Sequence, residues 1–322
     1  MRALGELLRK AARRGRNLGS LAWHRHVLGR RVFEKRIYDY GLLLRADDPG
    51  ISRELIRVGE RELEQKSILE RELKPGMRAF DLGANIGYYT VMMARLVGPT
   101  GRVDAVEPCP RNFELLARNV SANGIAERTE LQQVAIADAD GERPLLISDR
   151  SNWHSLHAPA VDSLVPWKRR YQRTMIGSIP VRTRSLAGYL AERPAVDLVR
   201  MDLEGYEVEI LRAVLGLPAV LSRNLRILFE THPEFYHPQS NDLRPVLEAL
   251  CRNGYLIKYL VSDFHFKAGQ ALFERYGYGA SHVVAQGRAR AIYSGLEASD
   301  AIDLICTSEC VHAAFLARTA CD

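Results

Sequence analysis

The chain has 322 residues, 47% hydrophobic and 26% charged, with a net charge of +6, the balance of a soluble globular protein with one large domain or two small ones. It contains no apolar run of about 18 residues, which excludes a membrane-spanning helix, and the stretch Leu4–Leu8 is broken by Gly5 and Glu6, which excludes a secretory core. Five cysteines, at 109, 251, 306, 310 and 321, form no CxxC pair, which argues against a zinc site and for reduced thiols in a cytoplasmic protein.

The charge is concentrated at one end. Residues 1–36 hold 11 Lys and Arg against Glu6 and Glu34, a net +9, so the remainder carries −3. The expected organisation is a basic N-terminal arm over 1–50 and one catalytic body over 51–322. Leu4, Leu7, Leu8 and Ala11 share a helical face, so residues 1–36 fit either a peripheral contact with an anionic membrane or polymer or a solvated leader helix. The spacing then predicts a helix over Arg53–Leu73, stopped by Pro75-Gly76.

From residue 77 apolar runs alternate with amphipathic stretches. Strands are predicted at Met77–Leu82, Arg102–Val106, Thr129–Ile136, Val196–Met201, Leu225–Phe229, Tyr255–Leu260 and Ala301–Cys306. Helices are predicted at Ile86–Leu96, Asn112–Asn123, Leu186–Ala191, Tyr206–Leu215 and Leu243–Asn253. This alternation implies an α/β fold with right-handed crossovers and a mostly parallel sheet. Ligands of such sheets gather at the carboxyl ends of the strands, where Asp81, Glu107, Asp138, Asp202 and Glu230 all fall. Residues 149–180 interrupt the alternation and read as a lid or acceptor insertion, with Trp153, Trp167 and Tyr171 available to close on a sugar ring or to pack the lid down.

The stretch FDLGANIGYYT carries the cofactor. Gly83, Ala84, Asn85 and Gly87 form a turn that brings backbone close to a ligand, and Glu107, 26 residues after Asp81, has the spacing of an acid that grips two ribose hydroxyls. The glycines read G-A-N-I-G rather than G-x-G-x-x-G, so no pyrophosphate cradle exists and a nicotinamide dinucleotide is disfavoured. Asp81 would repel a phosphate but attract an ammonium or sulfonium. These residues point to S-adenosylmethionine (SAM). Asp138 is the candidate for the adenine amino group, or else a turn aspartate with backbone near Ala135–Ala137 doing that work. Asp202 and Glu204 flank the start of a helix, where acids cap but are hard to place together without a cation or donor facing them.

DLGANIGYYT, VEPCPRNFELLARNVSANG, VAIADADG, VDLVRMDLEGYEVEILRAV and LRILFETHPEFY together resemble the FkbM-type SAM-dependent methyltransferases over roughly residues 54–262. The resemblance implies a Rossmann-like class I methyltransferase fold, a seven-stranded and mostly parallel sheet with its last strand reversed and helices on both faces. It also implies SAM as donor and a hydroxyl acceptor. Where the family commonly has Lys two residues before the later Asp, this chain has Arg200, a fork rather than a point charge.

Transfer of a methyl group to a hydroxyl needs an aligned nucleophile and a proton acceptor. His232, Asp202 and Glu230 are the catalytic candidates, with histidine the natural base and His154 and His157 weaker rivals. No spacing signature demands a metal, so none is assigned. If an ion polarised the acceptor, Asp202, Glu230 and His232 would be expected to hold it. The expected acceptor is a small molecule, sugar, glycan or glycolipid. A nucleic-acid methyltransferase is the second reading. It is weakened because the turn after the fourth core strand reads DLEGY, without the prolines of the [DN]PP[YF] turn whose aromatic stacks on a flipped base. A non-catalytic SAM-binding accessory protein is the third.

Overall fold

The computed structural model describes residues 31–157, 175–193, 195–218, 224–236, 241–263, 267–284, 290–308 and 310–318. The chain opens with β1 (Val32–Arg36), β2 (Gly41–Arg45), α1 (Ile51–Val58) and α2 (Leu63–Glu72). The core alternation follows as β3 (Arg78–Leu82), α3 (Tyr88–Leu96), β4 (Arg102–Val106), α4 (Pro110–Ala122) and β5 (Thr129–Gln132). A side sheet is built from β6 (Ala135–Ala137), β7 (Gly141–Ser148) and β8 (Met175–Ser185), and α5 (Leu186–Ala191) leads back. The second half runs β9 (Leu198–Met201), α6 (Glu207–Leu215), β10 (Arg226–Glu230), α7 (Arg244–Arg252), β11 (Tyr255–Asp263) and α8 (Lys267–Arg275). It closes with β12 (His282–Val284), β13 (Arg290–Ser294), α9 (Ala298–Thr307) and β14 (Val311–Arg318).

Among the described residues the main sheet has the order β12-β13-β11-β14-β10-β9-β3-β4-β5. The run β10-β9-β3-β4-β5 is parallel throughout, and β14 lies antiparallel to both β10 and β11. The seven strands from β5 to β11 therefore form the expected Rossmann-like methyltransferase sheet with its reversed strand. The hairpin β12–β13 widens it beyond seven.

Side chains alternate between the two faces of the sheet. Phe80, Leu82, Val199, Met201, Ile227 and Phe229 pack on one face with α5, α6, α7 and α9. Ala79, Leu198 and Leu228 pack on the other with β1, β2 and α1 to α4. Helices thus cover both faces. The alternation also puts Asp81, Arg200 and Glu230 on the second face, and the register sets Asp81 beside Arg200 on neighbouring strands.

Four expectations are corrected. Residues 301–306 form part of helix α9 rather than a strand, and the last strand is Val311–Arg318. The single N-terminal helix is two, because Gly59 ends α1 in the left-handed conformation (φ 86°) and its N–H bonds to the carbonyl of Leu55, the usual glycine stop. The strand over 129–136 breaks after Gln132, and residues 135–137 pair with β8 in the side sheet instead. Residues 32–45 form a hairpin whose Phe33, Leu42 and Leu44 share a core with α3 and α4, so packed structure begins before residue 51. Residues 1–30, with Trp167 and Tyr171, lie outside the described residues.

Candidate active site

The loops leaving β3, β4 and β9 and the segment entering β6 surround an open cleft. Its cofactor end is built on the glycine turn. Gly83 and Ala84 donate N–H to the Val106 carbonyl at 3.1 and 3.0 Å, and Asp202 donates to the Leu82 carbonyl at 3.2 Å, which locks three strand ends together. Gly83 has φ 77°, and a Cβ there would lie 2.3 Å from the carbonyl oxygen of Asp202. Only glycine lets the two loops meet.

Glu107 lines this end and is 5% exposed. Its Oε2 accepts from the Asn85 N–H and its Oε1 from the Cys109 N–H, both at 2.9 Å. Burial pushes its carboxyl up to about 7 against the pull of these amides. The nearby Arg111 pairs with Asp47 at 2.7 Å rather than with Glu107. A carboxylate has about four acceptor positions. Each oxygen holds one short bond, and Oε1 also accepts a longer one from the Asn112 side-chain amide at 3.5 Å, so Oε2 keeps a full position and Oε1 a weakly held one for the two ribose hydroxyls. Glu107 and the Gly83 turn thus fit SAM.

A strap closes the same end. Asp48 accepts from the N–H groups of Gly50 and Ser52 and from the hydroxyl of Ser151, at 2.8, 2.9 and 2.8 Å. The Ser151 carbonyl in turn accepts from the side-chain amides of Asn85 and Asn112, at 2.7 and 2.9 Å. Ser151, Asn152 and His154 line the cleft. Burial pulls the His154 imidazole down to about 4, a value that keeps it neutral near pH 7, and its Nδ1 accepts from the Ser148 N–H.

The other end is a carboxylate–imidazole cluster. Arg200, buried over the face of Tyr89 at 4.1 Å, reaches Asp202 Oδ2 at 3.1 Å and Asp81 Oδ1 at 3.7 Å. The fork thereby spans two carboxylates, which one ammonium would not do with the same geometry. Asp202 Oδ1 is buried without a hydrogen-bond partner. It lies 3.7 Å from His232 Nε2, which is 3.6 Å from Glu204 Oε2. Behind the ring, His232 Nδ1 is 3.0 Å from Oε1 of Glu207, a fully buried acid. Glu207 also accepts from the N–H groups of Leu203 and Gly205, at 2.8 and 3.1 Å, and so shapes the turn in which Glu204 takes φ 49°. Burial, then the neighbouring Asp202 carboxylate, holds the Glu230 carboxyl above its usual range.

Of the expected site residues, Gly83, Ala84, Asn85, Glu107, Asp202 and Glu204 line the cleft together. Asp81 sits behind the floor, fully buried, accepting from the Thr90 hydroxyl at 2.6 Å; burial raises its carboxyl, opposed by Arg200 and Thr90. Gly87 starts α3 with φ 91° and packs on Leu116. His232 and Glu230 stand one layer behind Asp202 and Glu204. Asp138 is placed away from the cleft. It accepts from the Tyr206 hydroxyl at 2.7 Å and pairs with Arg143, and Val134, Ala135 and Ile136 line the wall in its stead.

Two residues of the candidate site were not legible as such. Glu207 stands in the quoted MDLEGYE motif, but its inward aim depends on the turn at Glu204-Gly205. Arg61 lines the cleft from the break between α1 and α2 and pairs with Glu54 and Glu62; a single continuous helix would hide it.

A family model for the methyltransferase FkbM domain matches residues 81–257, more than half of the chain. The chain belongs to the FkbM methyltransferase family. A protein-L-isoaspartate O-methyltransferase of Caenorhabditis elegans is 32% identical over 98 residues, 30% of this chain and 42% of that protein. Methyltransferase sdnD of Sordaria araneosa is 26% identical over 196 residues, 53% of this chain and 70% of that protein. The chain spans less than half the length of the isoaspartate methyltransferases it matches. Among solved structures, methyltransferase FkbM of Methylobacillus flagellatus is similar at a TM-score of 0.35 and 12% identity, covering 77% of this chain and 61% of that one. M. jannaschii TYW2 in complex with AdoMet is similar at 0.40 and 12%, covering 90% and 87%.

Proposed function

We propose that this FkbM-family protein is a SAM-dependent O-methyltransferase acting on a hydroxyl of a small molecule, sugar or glycan. The observation that carries the reading is that Glu107, the Gly83 turn, Asp202 and Glu204 line one cleft. Bound, SAM would supply a methyl group on a sulfonium, open to in-line displacement by an oxygen nucleophile. Gly83, Ala84 and Asn85 hold backbone against the donor, and Glu107 accepts its two ribose hydroxyls.

The acceptor hydroxyl donates to Asp202, a residue that lines the cleft and whose Oδ1 has no other hydrogen-bond partner. Its proton leaves into the Asp202–His232 pair as the new C–O bond forms and the C–S bonding electrons return to sulfur. His232 is the base of the reading, oriented by Glu207, and Glu230 tunes the charge around Arg200. The carboxylates disfavour a carboxylate acceptor such as the isoaspartyl group in the names of several relatives, since Asp202 and Glu204 would repel it. The turn after β9 reads DLEGY, without the prolines of an amino-directed nucleic-acid methyltransferase, and a neutral polyol fits best.

Among the described residues no helix is long and apolar enough to cross a membrane. We read the basic arm as a peripheral contact with an anionic membrane surface, which fits a cytoplasmic enzyme with a glycolipid acceptor. Removal of residues 1–30 should abolish sedimentation with anionic liposomes while leaving SAM binding intact. The test of the activity is transfer of labelled methyl from SAM to a panel of hydroxylated metabolites and glycans, with RNA and an isoaspartyl peptide beside them. Labelling of the RNA or peptide alone would overturn the hydroxyl reading.

A further inference from the structure

We infer that Asp202, Glu204 and His232 form a binding site for a divalent cation; in the ion-bound protein His232 is a ligand, and the proton-accepting role given to it above belongs to the ion-free site. The inference rests on the O-methyltransferase reading for its catalytic meaning, but not for the binding itself.

Three lines of geometry support it. Asp202 Oδ1, Glu204 Oε2 and His232 Nε2 all lie within 4.8 Å of one another, and the two distances from Nε2 are 3.7 and 3.6 Å. Donors about 2.0–2.2 Å from a common ion stand about 3–4 Å apart, so the set is spaced for a shared ion once its side chains draw in around it. Next, Glu207 is fully buried behind the ring at 3.0 Å from Nδ1. A carboxylate can only accept, so Nδ1 carries the proton and Nε2 presents its lone pair toward Asp202 and Glu204. A carboxylate that orients a ligating histidine in this way is the usual outer partner of a metal site. Finally, Arg200 occupies Oδ2 of Asp202 and leaves Oδ1 buried without a hydrogen-bond partner, a state a cation would relieve.

The donor chemistry selects the ion. One imidazole and two carboxylates suit a borderline or hard divalent cation such as Mn²⁺ or Mg²⁺ rather than a thiophilic one. The two carboxylates match its charge. Three protein ligands leave open positions, as a catalytic site must, and Asp202 and Glu204 line the cleft where the acceptor is expected. The set differs from the expected Asp202, Glu230 and His232. Glu204 replaces Glu230, whose Oε2 faces Arg200 at 4.0 Å.

The test is titration of the full chain with Mn²⁺, following the free ion by electron paramagnetic resonance, together with electron spin echo measurements on the bound ion. The expected result is one Mn²⁺ per chain at sub-millimolar concentration, with a coupling to one imidazole nitrogen. Binding should weaken about 10-fold or more in Asp202→Ala, His232→Ala and Glu207→Gln and stay unchanged in Glu114→Gln, an exposed control. Absence of Mn²⁺ binding, absence of the nitrogen coupling, or equal binding by all the variants would overturn the proposal. The nitrogen coupling is read on the unaltered protein, so a variant that fails to fold does not decide the result. SAM binding measured on the same samples separates the two readings. Loss of the ion with SAM binding intact removes the metal site alone.

Discussion

Glu207 Oε1 lies 3.0 Å from His232 Nδ1 across a gap between two strands' loops. The contact links the helix that follows β9 to the segment that follows β10. Because Glu207 also accepts from Leu203 and Gly205, one buried acid sets both the ring plane of His232 and the turn that presents Glu204. Replacing it by glutamine puts an amide donor against groups that themselves donate. Glu207→Gln should lower kcat at least about tenfold while changing SAM affinity little. The double variant with His232→Ala should be hardly worse than His232→Ala alone, because the two act as one unit. Additive losses in kcat would separate them.

The carboxyl of Glu107, held near 7 by burial, makes donor binding depend on pH. Only the ionised form offers an acceptor to both ribose hydroxyls, so SAM should bind more tightly as pH rises from about 6 to 8 and level off above. The ligand-free protein should show the opposite trend from this group. A folded-state value above the ordinary 4.5 stabilises the fold below that value, and the contribution is lost as pH rises through about 7. Glu107→Gln should flatten both trends. Calorimetric affinities and thermal melts across the range check the signs together.

Asp138 serves as the contrasting acid. It is tied to Tyr206 and Arg143 outside the cleft, and the Tyr206 hydroxyl, followed by Arg143, keeps its carboxyl below the usual range despite some burial. Asp138→Ala should leave the SAM Kd within about twofold of the parent. A loss of the size expected for Glu107 would return it to the cofactor site.

Gly83 tests the floor. A methyl group there meets the Asp202 carbonyl oxygen, and the backbone sits at φ 77°. Left-handed strain and the clash together should destabilise Gly83→Ala by about 2 kcal/mol or more, read as a lowered Tm without ligand. An unchanged melt would mean that the two loops part easily.

The parallel half of the sheet was legible because its strands are short apolar runs, each ending in an acid or a turn: Asp81 in DLGAN, Glu107 in VEPCP, Asp202 in MDLEG. The other half was not. Residues 301–306, AIDLIC, are apolar enough for a strand, yet they bury one side of α9. VHAAFLAR has the alanines of a helix, yet it forms the strand between β10 and β11, buried on both faces, where small side chains fit and packing overrides propensity. The cofactor end of the site could be read from one contiguous motif and one spacing. The acceptor end could not, because Arg61 and Glu207 take their places only after the chain has turned at Gly59 and at Glu204-Gly205. Asp138, read from the sequence either as an adenine contact or as a turn aspartate, bonds Tyr206 and Arg143 in the structure, while the strand before it breaks after Gln132 and β6 runs in the side sheet.

The most direct measurement is calorimetric titration of the full chain with SAM and with S-adenosylhomocysteine, beside Glu107→Ala. Saturable binding of both ligands by the parent, weakened in Glu107→Ala by about 2–3 kcal/mol or roughly 30- to 150-fold, is the result predicted. Equal binding by parent and variant, or no binding by the parent, would contradict the assignment of this cleft as the methyl-donor site.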